Sequence, residues 1–176
     1  MPNSPQNPSR KALYTEEERA RRDATPWTVV QAILAPLQFL VFGISLVLVV
    51  RFLFTGEGYE AATISILIKT LLLYTIMVTG AIWEKVVFGQ YLFAPAFFWE
   101  DVFSFGVIAL HTAYLWALFT GQPHELQMFI ALAAYATYVI NAGQFLWKLR
   151  QARLQAAADA AGSLVMVIML WASVPL

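Results

Sequence analysis

Three stretches of this 176-residue chain, Thr25 to Val50, Val102 to His124 and Leu126 to Trp147, contain no Asp, Glu, Lys or Arg, and a fourth, Ala61 to Trp83, is interrupted only by Lys69. Each is long enough for an α-helix to cross about 30 Å of hydrocarbon, which takes roughly 20 residues. The runs show no period-two alternation and are far longer than the roughly 10 residues of a barrel strand. The composition agrees: 60% of residues are hydrophobic and 12% charged, and the charges sit in clusters, unlike those of a soluble domain. The sequence therefore predicts an all-α integral membrane protein with four transmembrane helices in a bundle, at about 27–54, 60–83, 102–120 and 126–147. Residues 1–26 form an N-terminal segment, 27–147 the four-helix domain, and 148–176 a C-terminal helix with an apolar tail.

The first apolar run is too long for the core of a secretory signal and has no small-residue cleavage site after it, so it is expected to stay in the membrane. Cysteine is absent, which removes disulfides, thiol nucleophiles and cysteine-ligated metals from consideration. The net charge of zero gives no reason to expect a nucleic-acid partner.

Ahead of the first span, Thr15 followed by Glu16, Glu17 and Glu18 reads as a helix cap with acids in its first turn, and "RARR" follows. Basic residues fall before helix 1 (Arg10, Lys11, Arg19, Arg21, Arg22), between helices 2 and 3 (Lys85), and after helix 4 (Lys148, Arg150, Arg153). The positive-inside rule then puts both termini and the Trp83 to Asp101 segment on the cytoplasmic side. "TGEGYE" and "TGQPHE" become short turns on the far side. The final apolar piece, "SLVMVIMLWASVPL", is short for a span, and a re-entrant or interfacial placement is open to it.

Ionisable residues inside spans are costly and usually face a bundle interior. Lys69 and His111 each lie about ten residues into their spans from opposite sides, so both are expected near mid-membrane, where they could pair or share a water. Helical spacing puts Glu84 within about 60° of Lys69, and Asp101, Ser104 and His111 within an arc of about 80°. Tyr138, Asn141 and Gln144 recur every third residue, Gln31 and Gln38 form a near-facial pair, and Pro36 suggests a local kink. The polar faces converge beneath "WEKVVFGQYLFAPAFFWED", which holds two charged knots, Glu84-Lys85 and Glu100-Asp101. Taken singly, the amides serve equally well as interhelical hydrogen-bond glue, and Tyr91, Phe93, Phe97, Phe98 and Trp99 as an interfacial aromatic belt. Acids flanked by Trp, Val and Phe fit neither role.

At "RARRDATPWTVVQAILAPLQFLVF", "TGEGYEAATISILIKTLLLYTIMVTGAIWEKVVFGQYLFAPAFFWEDVFS", "ALHTAYL" and "AAYATYVINAGQFLWKLRQARLQ" the sequence resembles the 3-vinyl bacteriochlorophyllide hydratase family of bacteriochlorophyll biosynthesis. The resemblance runs from about Tyr14 to Gln155; the C-terminal part lies outside it. It implies a hydro-lyase of a phototrophic bacterium's inner, intracytoplasmic membrane, without a cofactor of its own. Such an enzyme adds water across the C3 vinyl of a chlorophyllide-type tetrapyrrole, whose Mg belongs to the substrate. Membrane lipid, a second copy of the chain and neighbouring pigment-biosynthesis enzymes are then the expected surroundings.

Given that reaction, the site needs a protonated acid for the terminal vinyl carbon, a base for water and a flat apolar slot. Carboxyls next to hydrocarbon and next to one another resist ionisation, so Glu84 and Asp101 are the expected catalytic pair, with Glu100 as the substitute for either. Phe97, Phe98 and Trp99 are candidates to stack on the ring, Lys85 or Arg22 to meet its propionate, and His111 to ligate the substrate's Mg. Lys69, Tyr138, Asn141 and Gln144 complete the candidate substrate-binding set. The rival functions are a non-catalytic pigment-binding or photosystem assembly subunit and a small transporter. The second is disfavoured, because no acid lies mid-span.

Overall fold

The computed structural model describes residues 13–172, as five helices: α1 (Glu16–Ala24), α2 (Pro26–Thr55), α3 (Tyr59–Phe88), α4 (Phe98–Phe119) and α5 (His124–Ala172). α1 begins where the sequence places a cap. The Thr15 hydroxyl accepts from the Glu18 amide, and the Glu18 carboxylate accepts from the Thr15 amide at 2.7 Å. Arg21 and Arg22 occupy its last turn, where cations complement the helix dipole. Thr25 then caps α2, and Pro26 occupies its first turn, where no amide proton is required. α2 continues unbroken through Pro36.

α2, α3, α4 and the first part of α5 are the four helices long and apolar enough to cross a membrane. α2 packs along α3, α4 packs along α5, and α5 also meets α2, whereas α3 and α4 touch only lightly. Gly56 and Gly58 take left-handed backbone angles (φ 74° and 84°) in the connection between α2 and α3, which residues with a Cβ adopt at a cost. At that end of the bundle Tyr59 stacks on His124 with ring centroids 3.6 Å apart, and its hydroxyl donates to Gln127 at 2.7 Å. At the opposite end the Arg21 guanidinium donates to the Val87 carbonyl at 2.8 Å, and Lys148 donates to the carbonyl of Ala96. The amino-terminal helix, the connection between α3 and α4, and residue 148 therefore share one end, as the charge pattern requires.

Polarity is inverted relative to a soluble bundle. Leu40, Val47, Phe54, Leu71, Trp116 and Phe119 lie on the outside, while Gln38, Lys69, Glu84, Glu100, Asp101 and His111 are buried. Small residues, including Ser45, Ala62, Ser65, Ala117, Ala131 and Ala134, are among the most buried, which lets the helices approach closely without a hydrophobic drive between them.

One expectation changes. Glu84 and the Glu100-Asp101 pair are not in a loop: α3 extends past residue 83 to Phe88 and α4 starts at Phe98, leaving only residues 89–97 between them. The apolar C-terminal stretch continues α5 as far as Ala172, the last described residue. Between Lys148 and Ala172 there is no proline and the stretch is rich in alanine, so the helix tolerates the single Gly162.

Between the core layers, Ser45 Oγ lies 2.6 Å from both Ser65 Oγ and Tyr135 Oη. Ser65 also donates to the Ala62 carbonyl, so it keeps a partner if Ser45 is lost. Ser45→Ala, which strands the Tyr135 hydroxyl, is expected to cost more stability than Tyr135→Phe: about 1–3 kcal/mol against about 0.6 kcal/mol. Thermal unfolding of the detergent-solubilised protein measures both.

Candidate active site

The site is built around the connection between α3 and α4. α3 closes at Gly89 (φ 84°), whose amide caps the Lys85 carbonyl. Four residues on, Phe93 also adopts a left-handed backbone (φ 59°) and is the only described non-glycine residue to do so. For a bulky side chain this conformation costs on the order of 1–3 kcal/mol and persists only where its surroundings impose it.

Those surroundings are two carboxyls. The Phe93 amide donates to Asp101 Oδ2 at 2.6 Å, and the next amide, Ala94, donates to Glu84 Oε2 at 3.2 Å. Successive amides facing one way form a concavity suited to negative charge. Here they hold one carboxyl from the end of α3, Glu84, and one from the first turn of α4, Asp101, on neighbouring amides of one short connection. Both are only 4–5% exposed, and no ion pair to either is found among the described residues.

Glu100 stands apart. Its carboxylate meets Lys148 of α5 at 2.7 Å, and the same ammonium donates to the Ala96 carbonyl and lies 5.0 Å from the centroid of the Phe97 ring. Asn141 donates to Ser104 Oγ at 2.7 Å and to the Glu100 carbonyl at 3.4 Å, and Ser104 donates to that same carbonyl. Glu100 thus fastens α4 and the 89–97 connection to α5. Gln144 is half-buried, with its Oε1 buried and without a hydrogen-bond partner among the described residues.

The mid-membrane residues do not pair as expected. Lys69, fully buried, donates to Gln38 Oε1 and sits over the Tyr138 ring, 3.6 Å from its centroid. His111 Nδ1 lies 2.9 Å from the Val107 carbonyl, while its buried Nε2 has no partner among the described residues. The two side chains point to different partners because Gln38 and Tyr138 reach the ammonium first.

The aromatic residues divide into two groups. Phe97 is buried in a nest with Tyr14, Trp83, Phe88 and Phe145, at centroid distances of 5.7–6.4 Å, so it presents no open face. Phe98 and Trp99 are exposed, and they continue through Phe93 to Phe105: Phe93 stacks on Phe105 at 5.6 Å and 14°, and meets Phe98 at 5.7 Å. Lys85 donates to the Gly89 carbonyl at the same end of the bundle, and Arg22 pairs with Asp23. Sequence reasoning missed Lys148, Ser104 as the partner of Asn141, and Phe105. Phe105 follows Asp101 by one helical turn, a signal available in the sequence; the Lys148–Glu100 pair spans 48 residues and left no local sign.

Lys148→Met is expected to destabilise the protein by about 1–3 kcal/mol, less than for a fully buried pair because Lys148 keeps some exposure, and Glu100→Gln added to it should recover part of that loss. Chemical denaturation of the three variants decides the point.

The comparisons with known proteins concern this same region. A family profile described as 2-vinyl bacteriochlorophyllide hydratase matches residues 14–151. A protein of Rhodobacter capsulatus named 2-vinyl bacteriochlorophyllide hydratase is 94% identical over 166 residues, covering 94% of this chain and 97% of the relative. One of the same name from Cereibacter sphaeroides is 84% identical over 158 residues, covering 90% and 98%. No solved structure matches the chain. With the profile covering most of its length and relatives this similar end to end, the chain belongs to the 2-vinyl bacteriochlorophyllide hydratase family.

Proposed function

We propose that this protein hydrates the ring vinyl group of a bacteriochlorophyllide-type substrate to a 1-hydroxyethyl group, with Glu84 and Asp101 as its acid and base. The hydratase activity carries over from relatives that match it almost from end to end. The chemistry is supported by the two buried carboxyls, Glu84 and Asp101, held by successive amides of the same connection.

An alkene is a weak base and water a weak nucleophile, so a strong, correctly protonated acid and a positioned base are both needed. The protonated member of the pair gives its proton to the terminal vinyl carbon. Positive charge then develops on the carbon next to the macrocycle, where the π-system spreads it. Water adds there, and the ionised carboxylate takes the proton that the new hydroxyl loses. The pair begins and ends the cycle with one proton, and the product gains the elements of water. No electrons are transferred, so the reaction calls for no redox cofactor, and the Mg travels with the substrate.

The two amides that hold the pair keep its geometry fixed before the substrate arrives. The 89–97 connection carries both amides that hold the buried pair, and it is the part that would yield for the vinyl to reach the carboxyl oxygens. Glu100, neutralised by Lys148, acts as a fastening. His111 lies inside the bundle, and ligation of the substrate's Mg by it would need α4 and α5 to part. The basic residues at the active-site end favour the cytoplasmic side of the bacterial inner membrane for that end, where an amphiphilic substrate can lie with its ring in lipid.

Purified protein in detergent, given the vinyl substrate, should move its absorption to shorter wavelength as the vinyl leaves conjugation. Glu84→Gln and Asp101→Asn should each lower kcat by about 10²–10⁴-fold, and Glu100→Gln by far less. Stoichiometric pigment binding without any spectral conversion by the unaltered protein would instead favour a pigment-binding subunit. Full activity in both of the first two variants would remove the acid and base roles.

A further inference from the structure

We infer that the exposed aromatic surface formed by Phe93, Phe98 and Phe105 is where the substrate's macrocycle lies, with Phe93 as the residue that sets its position against the carboxyl pair. This rests on the hydratase reading above and adds to it the location and orientation of the ring.

A conjugated macrocycle is flat and apolar and needs a flat apolar partner beside the acid. The protein has two aromatic assemblies at this end of the bundle. The first, around Phe97, is packed on itself and against Lys148, and Phe97 is only 7% exposed. The second is open: Phe93, Phe98 and Phe105 are each 40–43% exposed, and their rings form a continuous contact through Phe93.

Exposure alone would not distinguish this surface from others that face lipid. Its connection to the acid does. The Phe93 amide is the donor to Asp101, so the ring of Phe93 and the carboxyl are attached to opposite ends of one hydrogen bond. Asp101 and Phe105 lie one turn apart on α4. A ring resting on Phe93 and Phe105 would therefore carry its vinyl edge towards the pair.

The left-handed backbone at Phe93 sharpens the argument. Glycine would meet the same turn without strain, and the hydrogen bonds to Asp101 and Glu84 come from backbone amides that glycine also supplies. A phenylalanine there is unfavourable for the fold, and its side chain is placed outward on the stack. The benefit is consequently sought in what the side chain touches.

The test uses the full-length protein and two variants. Phe93→Gly keeps the turn and both amides while removing the ring; Phe105→Leu keeps an apolar helix surface and removes the flat face. Vinyl-bacteriochlorophyllide is titrated into each, following the induced circular dichroism of the pigment, and KM and kcat are measured separately. Phe93→Gly should unfold at the same or a higher temperature than the unaltered protein, yet bind pigment roughly three- to tenfold more weakly, with KM raised by a similar factor. Phe105→Leu should weaken binding in the same direction. A structural role for Phe93 predicts the reverse pattern, an altered unfolding temperature with KM unchanged, and that result would overturn the proposal, as would failure of the unaltered protein to bind the pigment. Because pigment binding is read independently of turnover, a protein that binds through Phe93 but converts nothing would overturn the hydratase reading and leave this one standing.

Discussion

Two successive backbone amides, those of Phe93 and Ala94, hold the carboxyls of Asp101 and Glu84, and the arrangement at this end of the bundle depends on them. α3 and α4 touch only lightly along their lengths, so the carboxyl contact, the short connection and the amides are the main ties between the two helices there. Two carboxylates repel, and in surroundings this free of water the repulsion would be strong. A proton on one of the two removes that repulsion. In the proposed hydration the same pair supplies one group to give a proton and one to accept it.

Around this pair the polar interior is arranged so that each remaining charge has its own partner. Lys148 neutralises Glu100, and Gln38 with the Tyr138 ring accommodates Lys69. Burying charge in hydrocarbon is tolerated only with such partners. The consequence is a separation of roles among neighbouring residues in sequence. Glu100 and Asp101 are adjacent on α4, yet the first points to α5 and a cation, and the second to α3 and a carboxyl, because consecutive side chains on a helix diverge by about 100°. Adjacent acids are therefore not interchangeable, and the earlier expectation of Glu100 as a substitute for either partner meets a side chain already committed to Lys148.

Much of the fold was legible because the bilayer imposes simple requirements. Uncharged runs of sufficient length must be helices, the cap at Thr15 declares its helix, and the basic residues gather at the end that also holds the 89–97 connection. Charged residues with hydrocarbon-compatible neighbours marked Glu84 and Asp101 as unusual, and helical spacing placed them on inward faces. What the sequence did not disclose depends on contacts between distant positions and on backbone angles. Nothing near Lys148 marks it as the partner of Glu100. Phe97, Phe98 and Trp99 look alike as a run, but a helix start at Phe98 turns the first inward and leaves the next two outside. The left-handed Phe93 is invisible because phenylalanine is among the residues least expected to adopt that angle.

That last exception connects the fold to its chemistry. A glycine at position 93 would satisfy every backbone bond in the connection, and the same chain uses glycine at its other described left-handed positions, Gly56, Gly58, Gly89 and Gly121. The turn at Phe93 therefore differs from the rest in carrying a large ring where the geometry favours none. Its amide faces the carboxyl pair and its ring joins the open aromatic surface, so the residue spans the boundary between the proton-bearing interior and the lipid side. For a reaction whose substrate is a flat pigment and whose second reactant is water, this boundary is where the two must meet. The strain at Phe93 is local, and in the proposed reaction it would set the alignment between ring, water and acid.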